Sequence, residues 1–146
     1  MNELRISTEV GEMDLVQIHR WISEQSYWAA GVPMETLRRA LEHSIGFAGF
    51  IGTRQVAFAR VTTDRATFAY LADVFVDEDY RGLGYSKILM EAVLAHPDLQ
   101  DLRRFVLATR DAHDLYRRYG FTPLKSPDLF MAVSYTHLTL PTIYAV

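Results

Sequence analysis

A strand, a glycine loop and a helix start follow one another between Phe68 and Val93, and no other stretch narrows the possible folds so far. Phe68 to Val76 is an apolar run rich in β-formers, and it breaks at Asp77-Glu78-Asp79. Arg81-Gly82-Leu83-Gly84 comes next, and then a helical pattern with Tyr85, Ile88, Leu89, Ala92 and Val93 on one stripe. Elements in that order form an anion cradle. The glycines let the backbone turn and approach a ligand closely. The unpaired N–H groups of the first helical turn then point at it, with the positive end of the helix dipole behind them. A phosphorylated ligand is expected here.

Two common phosphate loops do not fit. A dinucleotide fingerprint needs G-x-G-x-x-G, and Lys87 stands at the third glycine. A P-loop needs G-x-x-x-x-G-K-[ST], and here Ile88 follows Lys87. A third pattern, R-x-x-G-x-[GA], is met by Arg81-Gly82-Leu83-Gly84-Tyr85-Ser86, with Ser86 in place of the final small residue. This resembles the acyl-CoA pyrophosphate loop of the GCN5-related N-acetyltransferase (GNAT) superfamily. Serine is small enough to preserve the backbone's approach. Downstream, Ala112 to Phe121 (AHDLYRRYGF) is similar to that family's A-x-x-L-Y-x-x-x-G-F landmark. Physically it is a short helix: Asp111 is expected as N-cap, Ala112, Leu115, Tyr116 and Tyr119 share a stripe, and Gly120 ends it.

The resemblance covers roughly residues 3–133 and implies an α/β GNAT fold, a mixed, mostly antiparallel central sheet of about 6–7 strands with about 4 helices. Strands are expected at Leu4 to Thr8, Gly46 to Ile51, Val56 to Val61, Thr67 to Val76, Arg104 to Ala108, Phe121 to Leu124 and Leu129 to Val133. Helices are expected over 13–25, from Pro33, from the cradle to His96, and at Tyr116. The acetyltransferase domain is thus 1–133. The tail 134–146 (SYTHLTLPTIYAV) is threonine-rich, unpatterned and similar to translated sequencing-adaptor DNA, which implies a non-native appendage; an ordinary C-terminal arm or edge strand is the alternative, and no role is assigned to it.

A chain of 146 residues can bury one good core without staples. The absence of cysteine excludes disulfides, a thiolate nucleophile and Cys-type zinc sites, and fits a reducing cytoplasm. No apolar run reaches the ~18 residues of a membrane span, and Met1-Asn2-Glu3 does not open a signal peptide. With a net charge of −3 and mixed signs, nucleic acid is not an expected partner. The five histidines form no H-x-x-x-H pair, so no metal is expected.

The resemblance implies acetyl-CoA as cosubstrate and direct attack on its thioester by a primary amine of a small molecule or peptide. It also allows a homodimer. Cofactor contacts are implied for Val74, Phe75, Val76, Arg81, Gly82, Leu83, Gly84, Tyr85, Ser86, Thr109 and Ala112, with Val74 near the splayed strand as oxyanion donor or else an ordinary ladder amide. Thr109 stands where many members carry asparagine. Tyr116 is implied as general acid, since a phenol of pKa about 10 can protonate a thiolate of pKa about 8.5. It could instead pack on the stripe it shares with Leu115. Asp73 is the one charge on its face of the strand, and a buried carboxylate is costly unless paired or at work. A base, an anchor for a substrate ammonium, and a salt bridge all remain open. A two-residue turn at Asp64-Arg65 sets Val56 opposite Asp73, and a four-residue turn sets Arg54 there. Tyr27 and Trp28 lie where the family builds its acceptor wall and could stack on an amine or simply pack. The alternative to an enzyme is a non-catalytic acyl-CoA-binding or regulatory module on the same fold. A weaker third possibility is a nucleotide-binding protein.

Overall fold

The computed structural model describes residues 3–25 and 30–134. The chain divides into two compact units, Met1–His113 and Asp114–Val146. The first unit holds a five-stranded sheet in the order β1 (Arg5–Ser7), β2 (Ile45–Ile51), β3 (Arg54–Thr63), β4 (Phe68–Val76) and β5 (Arg104–Leu107). β1 to β4 pair antiparallel, and β5 joins β4 in parallel.

Two helices follow β1 in sequence. α1 (Leu15–Arg20) starts at Asp14, whose carboxylate accepts from the Gln17 N–H, and it runs on into a π-helical turn, Trp21–Gln25. Pro33 precedes α2 (Met34–Glu42). Ile18, Trp21, Ile22, Leu37 and Leu41 from this layer form one apolar cluster with Ala48, Phe50, Phe58 and Phe75 of the sheet. α3 (Tyr85–Ala95) buries Leu89, Met90 and Val93 and ends at His96, ahead of Pro97. Among the described residues no helix is long and apolar enough to cross a membrane.

The β3–β4 connection is tied by one carboxylate. Asp64 accepts from the Ala66, Thr67 and Phe68 N–H groups and from the Thr67 hydroxyl. These bonds, the Thr67 hydroxyl first, hold its carboxyl well below the usual carboxylate range. A lowered folded-state pKa stabilises above the unfolded value near 3.9, and that contribution fades as acid protonates the group. Asp64→Ala should therefore melt below wild type at pH 7. The gap should narrow at pH 3, as thermal scans by circular dichroism would record.

The second unit departs from expectation. The sequence reads Phe121 to Leu124 and Leu129 to Val133 as strands, yet neither forms one, so the described sheet has five strands rather than six or seven. Pro123 has no N–H to give a ladder, and Pro127 opens a 3-10 turn, Pro127–Leu129. Among the described residues the apolar side chains beyond are largely exposed: Leu129 is 80% and Met131 96% exposed. Such limited burial does little to offset the entropy of ordering a strand there.

The helix α4 (His113–Arg117) is shorter than its pattern suggests. Its C-terminus behaves as expected: Gly120 takes φ +94, its N–H bonds the Arg117 carbonyl, and the Phe121 N–H bonds that of Tyr116. Ahead of the helix the Thr109 hydroxyl oxygen accepts from the Ala112 N–H at 3.0 Å. The 134–146 tail lies outside the described residues except for Ser134.

Candidate active site

β4, the loop after it and the start of α3 build the cradle. β4 stops at Val76, Asp77 accepts from the Asp79 N–H in a 3-10 turn (Glu78–Tyr80), and the chain swings through Arg81 to Gly84. Gly82 and Gly84 sit at φ +77 and +83, a region side chains avoid. A Cβ built at either would meet nothing within 4 Å, so the surface there is open to an incoming group. Gly84 is also the N-cap of α3 and provides no side-chain cap. The first turn of this eleven-residue helix thus receives no hydrogen bond from an N-cap side chain.

Aromatic contacts fix the walls. The Arg81 Nε donates to the Val76 carbonyl at 2.8 Å, and its guanidinium lies 5.1 Å from the Phe75 ring centre. Phe75 in turn stacks on Trp21 at 5.2 Å, which links the cradle arginine to the π-helical turn. Tyr80 stacks on Tyr85 at 6.4 Å, and the Arg54 guanidinium lies 5.3 Å from the Tyr80 ring. Trp21 and Arg54 carried no motif. Their only sequence signals were an aromatic on an apolar helix stripe and a cation at a hairpin corner.

β4 is bulged just ahead of this region. Phe58 pairs with Phe75 but Arg60 with Ala72, so Asp73 and Val74 together face Ala59. Neither Val56 nor Arg54 stands opposite Asp73. The bulge and a longer connection shift the register, and the Asp73 Oδ2 accepts from the Arg60 Nε at 2.8 Å. The Asp73 side chain is 8% exposed and that of Arg60 18%. Val74 and Val76 are half-buried, Leu83 is exposed and Ser86 half-buried, all along the same strand–loop–helix path. Tyr85 is buried, as is the Phe75 side chain. Tyr27 and Trp28 lie outside the described residues, directly after the π-helical turn.

In the second unit Tyr116 is 9% exposed and meets the Phe121 ring edge-on at 6.1 Å. Thr109 and Ala112 bond each other in the turn leading to α4. A recess of about 570 Å³, lined among others by Arg38, Leu41, Ser44, Arg65 and His96, shares no residue with the cradle. Arg65 precedes β4 and the cradle follows it, so this recess lies at the other end of that strand. Among the described residues no group of three or more histidines and carboxylates could hold a metal.

An antiparallel sheet with one parallel strand, bulged beside a glycine loop that opens a helix, is the architecture the chain shares with a known family. The sequence model of the acetyltransferase (GNAT) family matches residues 15–121, and the chain belongs to that family. The crystal structure of a Xanthomonas campestris pv. campestris protein assigned to the GNAT acetyltransferases is 54% identical. It superposes with a TM-score of 0.90 over 92% of this chain and 95% of that one. A GNAT-family acetyltransferase from Streptococcus pneumoniae is 22% identical with a TM-score of 0.67, covering 94% and 99% of the two chains, a likeness of fold alone. The uncharacterized N-acetyltransferase ycf52 of Porphyra purpurea is 32% identical over 102 residues. That match takes in 66% of this chain and 58% of the relative, so the chain spans less than two thirds of this relative's length.

Proposed function

We propose that this chain is an acetyl-CoA-dependent N-acetyltransferase of the cytoplasm that moves an acetyl group to a primary amine of a small molecule or peptide. The observation that carries it is the open glycine loop, Arg81 to Gly84, feeding the uncapped start of α3 directly after β4. Backbone amides from Gly82 to Ser86 would bind the pyrophosphate, with Arg81 adding charge. Bound acetyl-CoA supplies a thioester carbonyl. The Val74 amide, in the bulge, is suited to donate to that oxygen as charge develops on it. Asp73 would draw the acceptor's ammonium or take its proton through water. Tyr116 would hold a proton for the thiolate that leaves as the amine nitrogen bonds to the carbonyl carbon and the carbon–sulfur bond breaks.

One observation favours a second reading. A carboxylate bridged by arginine and buried also suits a domain that binds acyl-CoA without turning it over.

Calorimetric titration of acetyl-CoA into the folded chain should give saturable binding in the micromolar range usual for such a ligand. A panel of a diamine, an amino acid, an amino sugar and a tripeptide should then release free thiol with at least one member. A folded chain that produces no binding heat would end the acetyltransferase assignment. Binding without thiol release from any amine would leave the non-catalytic module. Displacement by ATP as effective as by CoA would turn the loop over to nucleotides.

A further inference from the structure

The β4 bulge carries an aspartate where glycine would be the cheaper residue. Asp73 sits at φ +55, a conformation that aspartate tolerates and glycine prefers. Backbone geometry alone therefore does not account for an aspartate there, and its side chain shows what does. The buried carboxylate is gripped by the Arg60 Nε, and the Arg60 Nη1 also donates to the Thr62 Oγ1 at 3.1 Å. Held by Asp73 on β4 and by Thr62 on β3, the guanidinium is a fixed fork rather than a free surface cation.

The register shows which way the pair faces. Arg60 pairs with Gly46, and a Cβ on Gly46 would meet Leu41 and Met13, so this is the face covered by the α1 and α2 layer. Phe58 and Phe75, on the same face, belong to the cluster that includes Trp21. The Arg60 bridge turns the Asp73 carboxylate to that side, next in sequence to Val74.

We propose that Arg60 is a positioning residue for acetyl transfer, acting through Asp73: it fixes the carboxylate on the α1 face of the bulge and so sets how the acceptor amine is presented. This rests on the acetyltransferase assignment above. Positioning by Arg60 predicts a split between steps. Arg60→Ala should lower kcat with the best amine of the panel at least about tenfold and leave acetyl-CoA affinity within about twofold. Arg60→Lys should recover part of the rate, because it returns the charge without the fork.

The decisive comparison is a double-mutant cycle with Asp73→Gly, which relaxes the left-handed backbone while deleting the carboxylate. If Arg60 acts through Asp73, adding Arg60→Ala to Asp73→Gly changes kcat by less than about twofold. That double variant leaves no unpaired buried charge, so it stays informative even if Arg60→Ala alone does not fold. Losses that multiply across the two sites, wild-type turnover in Arg60→Ala, or loss of acetyl-CoA binding in Arg60→Lys would each overturn the proposal. A wild-type chain that neither binds nor turns over acetyl-CoA would instead overturn the assignment on which it rests, and the proposal with it.

Discussion

Gly82→Val and Gly84→Val should each weaken acetyl-CoA binding at least about a hundredfold, more than 2.7 kcal/mol, while the protein stays folded. Both positions have positive φ, where a β-branched side chain is strained by about 1–2 kcal/mol. That strain is a modest part of a domain's stability and should lower the melting temperature by only a few degrees. The larger effect lies with the ligand. A Cβ at either glycine would project into space that is open in the protein, the same space through which a pyrophosphate must reach the amides of α3. Calorimetry beside a thermal scan separates the two effects. Valine variants that melt slightly earlier yet bind acetyl-CoA as tightly as wild type would remove the loop from the binding site.

Ser86 provides a contrast within the same helix start. It occupies the small-residue position, is half-buried and has helical backbone angles, so alanine there is expected to leave affinity within a fewfold of wild type. On the proposed reading, binding would depend on backbone at the two glycines and much less on the serine hydroxyl.

Much of this site was legible because it is local in sequence. A glycine pair between an apolar strand and an amphipathic helix specifies its own geometry, and Gly120 likewise ended α4 where the pattern put it. What escaped depends on distant register. The partner of Asp73 could not be chosen until the β3–β4 connection and the bulge were known, since a single inserted residue shifts every pairing beyond it. A lone charge on β4, beside a strand that carries Arg54 and Arg60, was the available hint. The missing strands after Gly120 are the opposite failure: alternating apolar residues suggested pairing, but prolines at 123 and 127 remove two donors and no described strand pairs with this stretch.

Tyr116→Phe is expected to cut kcat about a hundredfold, the lower end of what a positioned general acid contributes, with acetyl-CoA affinity within about twofold. Phenylalanine keeps the ring that meets Phe121 and the burial that comes with it, so packing survives the change. The lost hydroxyl costs folding stability about 0.5–1.5 kcal/mol. Kinetics therefore distinguish the two roles open to this tyrosine. An acid that protonates the departing thiolate acts only as the carbon–sulfur bond breaks, so its removal lowers kcat and kcat/KM together and leaves binding alone. A packing residue predicts the reverse: near-wild-type turnover in Tyr116→Phe and a large stability loss only in Tyr116→Ala, where the ring itself is deleted. Stopped-flow detection of free thiol in the phenylalanine variant, set against the melting temperatures of both variants, decides between them. Full turnover in Tyr116→Phe would leave the thiolate to take its proton from water.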